Sequence, residues 1–399
     1  MMRIALISLH TPTATNFRGA SALPYHLMAF RPKDIEVEVW SYNLNGCSSK
    51  QIEESESRLG VKIHVVKKSE ILRFMSPAPV RLFLPKPILG YLSLPDDVYK
   101  SIVNYLSGIK SALWIYGEDI AGLANQFDEF TTVITTPDCE AMYYHRVLSM
   151  KGIPTSTKSI LRYTLMYHRY ASMAARYPIR SNIKYHLVGK EDALFLKRMN
   201  QRADVYFIRH PHYDISNIGH CDVSTKERIK ILIAGRYDFA MAQAVDEAIE
   251  AMKILPENVK NKYTFTFLGK GWEKCVDVLT CAGCDVKFKD FVEDYATEVS
   301  FHHIQLTPVT VGTGTKGKVL DAFANGLMVI GTPLALENIA VENGKECVEY
   351  SDGAELVQWL IRLANEPSII NDIAKAGKEA VIREHGRGKI ANDFFHLFK

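Results

Sequence analysis

TPVTVGTGTKGKVLDAFANGLMVIGTP, residues Thr307–Pro333, is the stretch whose reading decides the fold. It predicts a strand ending at Thr307, a loop with Gly312, Gly314 and Gly317, and a helix from about Lys318 to Asn325–Gly326. Val319, Leu320, Ala322 and Phe323 give that helix residues to bury, and Gly326 suits the left-handed position after a helix C-terminus. A glycine-rich loop feeding a helix N-terminus attracts anions. Its N–H groups point outward, glycine lets a ligand approach the backbone, and the helix dipole favours phosphate. Lys316 and Lys318 stand where they would neutralise a diphosphate. Asp321, one turn into the helix, stands where it would accept hydrogen bonds from the vicinal hydroxyls of a ribose. A plain turn with two solvated lysines accounts for the same residues.

Working outward, Arg228–Gly235 (RIKILIAG) and Arg3–Leu9 (RIALISL) are short branched-apolar runs that read as buried parallel strands. A helix pattern follows each, over Ala20–Phe30 and Ala242–Leu255. Further strands are expected at Ile35–Trp40, Val61–Val66, Ala112–Ile115 and Thr132–Thr135 after the first. Those expected after the second are Tyr263–Leu268, Val286–Phe288, Ile304–Thr307 and Leu327–Ile330. Alternating strands and helices with two separate starts predict two parallel βαβ sheets. The resulting division is an N-terminal domain over 1–210, a linker over 211–227, a second domain over 228–375 and a C-terminal helix over 376–399 that returns to the first domain. Pro77–Pro95, with five prolines, reads as a long ordered loop.

The chain has 399 residues, enough for two domains, and its 48 Lys+Arg against 45 Asp+Glu leave too little net charge to imply nucleic acid. No run of about 18 uncharged apolar residues exists to span a membrane. The N-terminus lacks the apolar core and cleavage site of a signal peptide, and seven scattered cysteines fit reduced thiols; both point to the cytoplasm. Cys281 and Cys284 form a lone CxxC without a second ligand pair, so no metal site is expected.

The run from Pro308 through Thr332, followed by Leu336-Glu337-Asn338-Ile339, resembles the donor-binding segment of GT-B glycosyltransferases of the bacterial group 1, family 4-like branch. The resemblance extends through Ile231–Arg236, Phe265–Gly271, Val286–Val292 and Leu356–Pro367, and covers about Arg228–Pro367. It implies an α/β fold of two Rossmann-like domains facing across a cleft. It also implies a metal-independent hexosyltransferase with no cofactor beyond its nucleotide-sugar donor, UDP being expected over GDP. Carried over by position, Gly312, Thr313, Gly314, Thr315, Lys316 and Gly317 would wrap the donor diphosphate, with Lys318 at the helix start stabilising the departing group. Asp321 falls where the family's second motif glutamate binds ribose. Phe291 and Val292 fall where backbone meets the base, Arg236 matches a phosphate-reaching arginine, and Gly269 falls in the matching FLGKG run. Two positions depart from the pattern. The family's first motif glutamate is replaced by Thr313, and the lysine six residues after its Gly-Arg pair is Ala242. The Lys318–Asp321 spacing is also similar to that of the xanthan glucuronosyltransferase branch, which inverts; retention and inversion both stay open.

In the N-terminal half, Gly19-Ala20-Ser21 resembles the family's glycine loop near donor phosphates and acceptor, while Ser21 also reads as a helix N-cap. Asp138 ends a strand at the sheet edge where ligands of open α/β sheets bind. It reads equally as the base that deprotonates an acceptor hydroxyl and as an N-cap; Glu118 and Asp119 are the next acids in line. Arg162, Arg169 and Arg176 recur at seven-residue steps beside Tyr163, Tyr170 and Tyr177. That pattern fits an anionic membrane face at the inner side of the plasma membrane, or a solvated basic face over packed tyrosines. The expected activity is sugar transfer to a glycan or polyprenyl-linked glycan in envelope or exopolysaccharide synthesis. A non-catalytic nucleotide-binding partner, a nucleotide-sugar epimerase or hydrolase of the same fold, and a two-lobed solute receptor are the alternatives.

Overall fold

A computed structural model describes residues 1–14, 19–67, 84–150, 156–224 and 227–399. Pro77 and Pro79 of the proline-rich loop lie outside the described residues. The chain forms two compact units, Met1–Pro211 with Arg387–Lys399, and His212–Gly386.

The first unit holds seven strands: β1 (Met2–Ser8), β2 (Ile35–Ser41), β3 (Lys62–Val65), β4 (Ser111–Tyr116), β5 (Thr131–Thr135), β6 (Ile183–Leu187) and β7 (Val205–Phe207). They are ordered β3-β2-β1-β4-β5-β6-β7, and every pairing is parallel. Alternate residues of β1 enter two cores. Ala5 and Ile7 join Trp40, Ile115 and Ile134, while Ile4 and Leu6 join Trp114, Met28 and Phe394. Burial on both faces explains why the strand reads as a continuous apolar run.

β6 and β7 are additions to the sequence-based strands. β6, IKYHL, carries Lys184 and His186, which interrupt the apolar run. His186 is nonetheless buried, its Nδ1 3.2 Å from Thr135 Oγ1, which accepts from Trp114 Nε1 at 2.9 Å. Burial pushes the His186 pKa down to about 3, so it sits neutral in the core.

The second unit holds β8 (Ile229–Ala234), β9 (Tyr263–Leu268), β10 (Val286–Lys289), β11 (Ile304–Thr307), β12 (Met328–Gly331) and β13 (Val348–Glu349). Their order, β10-β9-β8-β11-β12-β13, repeats that of the first unit, again all parallel. In each sheet the order reverses beside the first strand of the unit, and crevices for ligands form at such reversals, off the carboxyl ends of the strands.

Three boundaries differ from the sequence-based division. The second unit begins at His212 and takes in residues 212–224, which had been set apart as linker. Its last helix runs Ser368–His385, so no single helix covers 376–399. A separate helix, Arg387–His396, belongs to the first unit, where Phe394 packs 4.7 Å from Trp114 between ring centroids. In addition, the first helix of the chain begins at Gly19, so Ser21 lies inside its first turn, fully buried, and is not its N-cap.

Candidate functional site

In the second unit the sheet reverses between β8 and β11, and the loops that follow these strands are 235–241 and 308–316. Backbone and side-chain bonds fix them to each other. The amides of Thr310 and Val311 both donate to Ala240 O at 3.0 Å. Thr310 Oγ1 accepts from Ala244 N at 2.9 Å, so it caps helix Ala242–Lys253 from a loop 66 residues away. On the other side, Thr332 Oγ1 donates to Val309 O at 2.8 Å, and Asn338 Nδ2 donates to Gly314 O at 3.0 Å. Asn338 itself has φ 69°, a left-handed conformation that asparagine tolerates better than most residues. The glycine-rich loop is therefore held in shape before any ligand arrives.

The loop after β8 is fixed by a close approach of backbones. A Cβ on Gly269 (φ 122°) would stand 2.1 Å from Gly235 O, so only glycine fits. Gly235 O also accepts from Trp272 Nε1 at 2.8 Å, and Tyr237 N donates to Lys270 O at 2.9 Å. Gly269 thus shapes the turn that presents Arg236. Arg236 is exposed, and among the described residues no hydrogen bond or ion pair engages its guanidinium.

The two lysines of the loop part company. Lys316 Nζ folds back and donates to Thr313 O at 3.0 Å and Gly314 O at 3.3 Å. Its chain lies over Gly312, where an added Cβ would meet Lys316 Cε at 3.1 Å. Lys316 is a strut of the loop. Lys318, on the first turn of helix Gly317–Ala324, is exposed, and its ammonium stands 5.5 Å from the Tyr295 ring centroid. Among the described residues that ammonium has no hydrogen-bond or ion-pair partner. Desolvation by the surrounding protein lowers its pKa, and the charge of Asp321 opposes that shift in part. Gln305, buried in β11, donates from Nε2 to Lys318 O at 3.3 Å and ties the helix start to the sheet.

Asp321 is 8% exposed, and its Oδ1 accepts from Tyr213 N at 2.9 Å. Tyr295 lies close by. Its hydroxyl is buried without a partner among the described residues, and burial with the Asp321 charge drives its pKa upward. Phe291 is 58% exposed beyond β10, and Val292 packs on the cluster that includes Val319 and Leu320. Thr313, Thr315 and Gly317 are half-buried along the loop.

The first unit gathers acids at the carboxyl edge of its own sheet. Asp138 is exposed in the turn after β5. The helix behind it, Glu140–Ser149, has Cys139 at its N-cap position, and acids from elsewhere meet its first amides. Cys139 N donates to Asp192 Oδ1 at 2.9 Å and Glu140 N to Glu118 Oε2 at 3.1 Å. Burial raises the Asp119 carboxyl to about 6, and burial with the nearby Asp138 charge raises Glu140 to about 7.

Helix Thr157–Ala174 separates the arginine and tyrosine stripes. Arg162 and Arg176 are exposed and Arg169 half-buried, whereas Tyr170 and Tyr177 are buried and Tyr163 lies 6.1 Å from Tyr144 between ring centroids. The tyrosines pack inward and form no surface belt; the exposed apolar residues of this helix are Ile160 and Leu161. Gly19 opens the first helix of the chain.

Thr310, Thr332, Asn338, Gln305 and Tyr213 all shape the loop or its helix. Thr332 and Asn338 had been named within the family-like run, without this role.

Residues 228–366 match the family model described as glycosyl transferases group 1. A comparison with curated protein sequences gives no match. Solved structures similar to the chain include sucrose-phosphate synthase from Thermosynechococcus elongatus, with TM-score 0.68, 12% identity, and 100% of this chain and 98% of that one covered. Anabaena HepE in complex with UDP matches with TM-score 0.64 and 12% identity over 99% and 98%. WaaG, a glycosyltransferase involved in lipopolysaccharide biosynthesis, matches with TM-score 0.61 and 13% identity over 98% of both chains. With the family match covering the glycine-rich loop and these likenesses covering both sheets, the chain is similar to group 1 glycosyl transferases over residues 228–366 and shares the GT-B fold of these structures.

Proposed function

We propose that this protein transfers a glycosyl group from a UDP-sugar to a hydroxyl of a glycan or lipid-linked glycan, without a metal. The observation that carries this is the pre-shaped loop 308–316, flanked by two cations, Lys318 and Arg236, whose charged groups make no hydrogen bond or ion pair among the described residues. Charge fixed in place before the leaving group departs is the usual source of catalysis when a diphosphate leaves. The HepE complexes with UDP and UDP-glucose support the choice of nucleotide, and the role of WaaG supports an envelope glycan as acceptor.

In the proposed reaction the acceptor oxygen bonds to the anomeric carbon while the carbon–oxygen bond to the diphosphate breaks. Its electron pair stays on the diphosphate oxygen, and the acceptor proton passes to a base. We assign that role to Asp138 of the first unit, which is exposed in the turn after β5, at the carboxyl edge of its sheet. Transfer by this route inverts the anomeric configuration.

Melting curves in EDTA with UDP and GDP test the donor site. UDP at about 100 times its Kd adds about 2.7 kcal/mol if it binds only the folded protein, and raises the melting temperature accordingly. GDP is expected to do less. Equal, negligible shifts from both nucleotides would remove the site.

The anionic-membrane reading now rests on Ile160 and Leu161, 47% and 61% exposed, beside Lys158 and Arg162. Co-sedimentation with vesicles containing phosphatidylglycerol is expected for the wild type and reduced for Leu161→Glu. Binding that ignores this substitution overturns it.

A further inference from the structure

Lys318 and Asp321 stand three residues apart on helix Gly317–Ala324, a spacing that makes opposite charges neighbours. Elsewhere in the chain the same spacing closes into ion pairs, Glu250 with Lys253 at 2.7 Å and Glu342 with Lys345 at 3.1 Å. Lys318 does not close. Its charge feels that of Asp321, yet its ammonium lies over the Tyr295 ring, 5.5 Å from the centroid, and makes no ion pair among the described residues. The order along the helix contributes, since a base that precedes its acid pairs less well than the reverse. In both closed pairs the acid comes first.

Tyr295 is firmly mounted. It opens helix Tyr295–Ser300, whose N-cap Asp294 accepts from Thr297 N at 3.0 Å. Glu298 of that helix accepts from Lys289 Nζ, on β10, at 2.7 Å and 2.8 Å. The ring packs on the cluster that holds Val319 and Leu320, the two residues after Lys318. Gln305 in turn fixes the Lys318 carbonyl. With ring and helix backbone both held, what remains to be chosen is the direction of the ammonium, and the electron-rich face of a ring attracts it.

We propose that Tyr295 is a positioning residue for Lys318: its ring holds the ammonium away from Asp321, so that lysine and carboxylate meet a bound nucleotide as two separate charges instead of neutralising each other. This role rests on the nucleotide-sugar reading above, and it leaves Asp321 the ribose contact that the resemblance implies. The Tyr295 hydroxyl takes no part in it, being buried without a partner among the described residues. A phenylalanine ring has what the role needs.

Steady-state kinetics with a UDP-sugar donor compare Tyr295→Phe, Tyr295→Leu and a trifluorinated phenylalanine at position 295, which keeps the shape of the ring and removes the negative charge of its face. The conservative Tyr295→Phe is expected to hold kcat within about twofold of wild type, whereas Tyr295→Leu and the trifluorinated ring lower it by about fivefold with donor KM little changed. In a Lys318→Ala background Tyr295→Leu adds no further loss, because the group it positions is gone. A residue that only supports the fold costs the same in both backgrounds and is indifferent to fluorination. Either of those results, or a Tyr295→Phe as slow as Tyr295→Leu, overturns the proposal. Should Tyr295→Leu fail to fold, the trifluorinated ring decides.

Proton NMR of the protein without nucleotide supplies a second measure. Shielding by the ring places the ε-methylene protons of Lys318 upfield of those of other lysines in the wild type and in Tyr295→Phe, and returns them to the ordinary position in Tyr295→Leu. An ordinary position in the wild type refutes the contact whether or not a nucleotide binds. An upfield position in a wild type that turns over no UDP-sugar upholds the contact and overturns the nucleotide-sugar reading.

Discussion

Lys318→Ala lowers turnover by about two orders of magnitude, the usual cost of removing one preorganised group from a developing negative charge. Substrate affinity falls less. In the ground state the diphosphate also has the loop amides and Arg236, whereas the charge that builds on the leaving oxygen needs a cation already in place. The Lys318 ammonium meets that need, since no carboxylate among the described residues pairs with it and Gln305 fixes the backbone that bears it. Its lowered pKa also sets a direction with pH. As pH rises the lysine loses its proton earlier than a free lysine does, so turnover should fall on the alkaline side sooner than an unperturbed lysine predicts. Steady-state kinetics with a UDP-sugar donor measure both effects. A kcat for Lys318→Ala within about threefold of wild type would place the leaving-group cation elsewhere.

Asp138→Asn should lower turnover by about two to three orders of magnitude while leaving UDP affinity unchanged, because it removes a proton acceptor and nothing that touches the donor. Asparagine matches the aspartate in shape, so the melting temperature stays near that of wild type. The control is Glu118→Gln. Glu118 is buried and accepts from Glu140 N, a bond that glutamine can also accept, so Glu118→Gln is expected to leave both the stability and the turnover of the protein near wild type. If Glu118→Gln abolished turnover without loss of stability and Asp138→Asn had no effect, the base would have to be reassigned to the buried acids.

The parallel sheets were legible in the sequence because their central strands are buried on both faces and carry no charged residue within their apolar runs. Tyr263–Leu268 and Ile304–Thr307 match the observed strands residue for residue. β6 escaped because Lys184 and His186 break the apolar run. His186 is accommodated through a hydrogen bond to Thr135, 51 residues away, and such a partner leaves no mark in a local window. The glycine-rich loop was legible as a shape. The roles of its side chains were not. Whether Lys316 or Lys318 faces solvent depends on where the loop carbonyls end up, and Lys316 found two of them. Asp321 was placed toward ribose by its position in a motif; that its Oδ1 accepts from an amide 108 residues upstream was not legible there. The tyrosine stripe was correctly periodic; periodicity cannot say which of two parallel stripes faces inward.

The return of residues 387–399 to the first unit bears on how the chain acquires its structure. Phe394, Phe395 and Phe398 complete the core around Trp114, so the first sheet is finished by a segment synthesised after the whole of the second unit. Until then Trp114 and its neighbours lack a lid, and unburied apolar surface on a nascent domain invites chaperone binding or aggregation. The second unit, whose residues 212–386 are contiguous, can close its own core earlier. The first unit, begun first, therefore cannot complete its core until the second unit has been made.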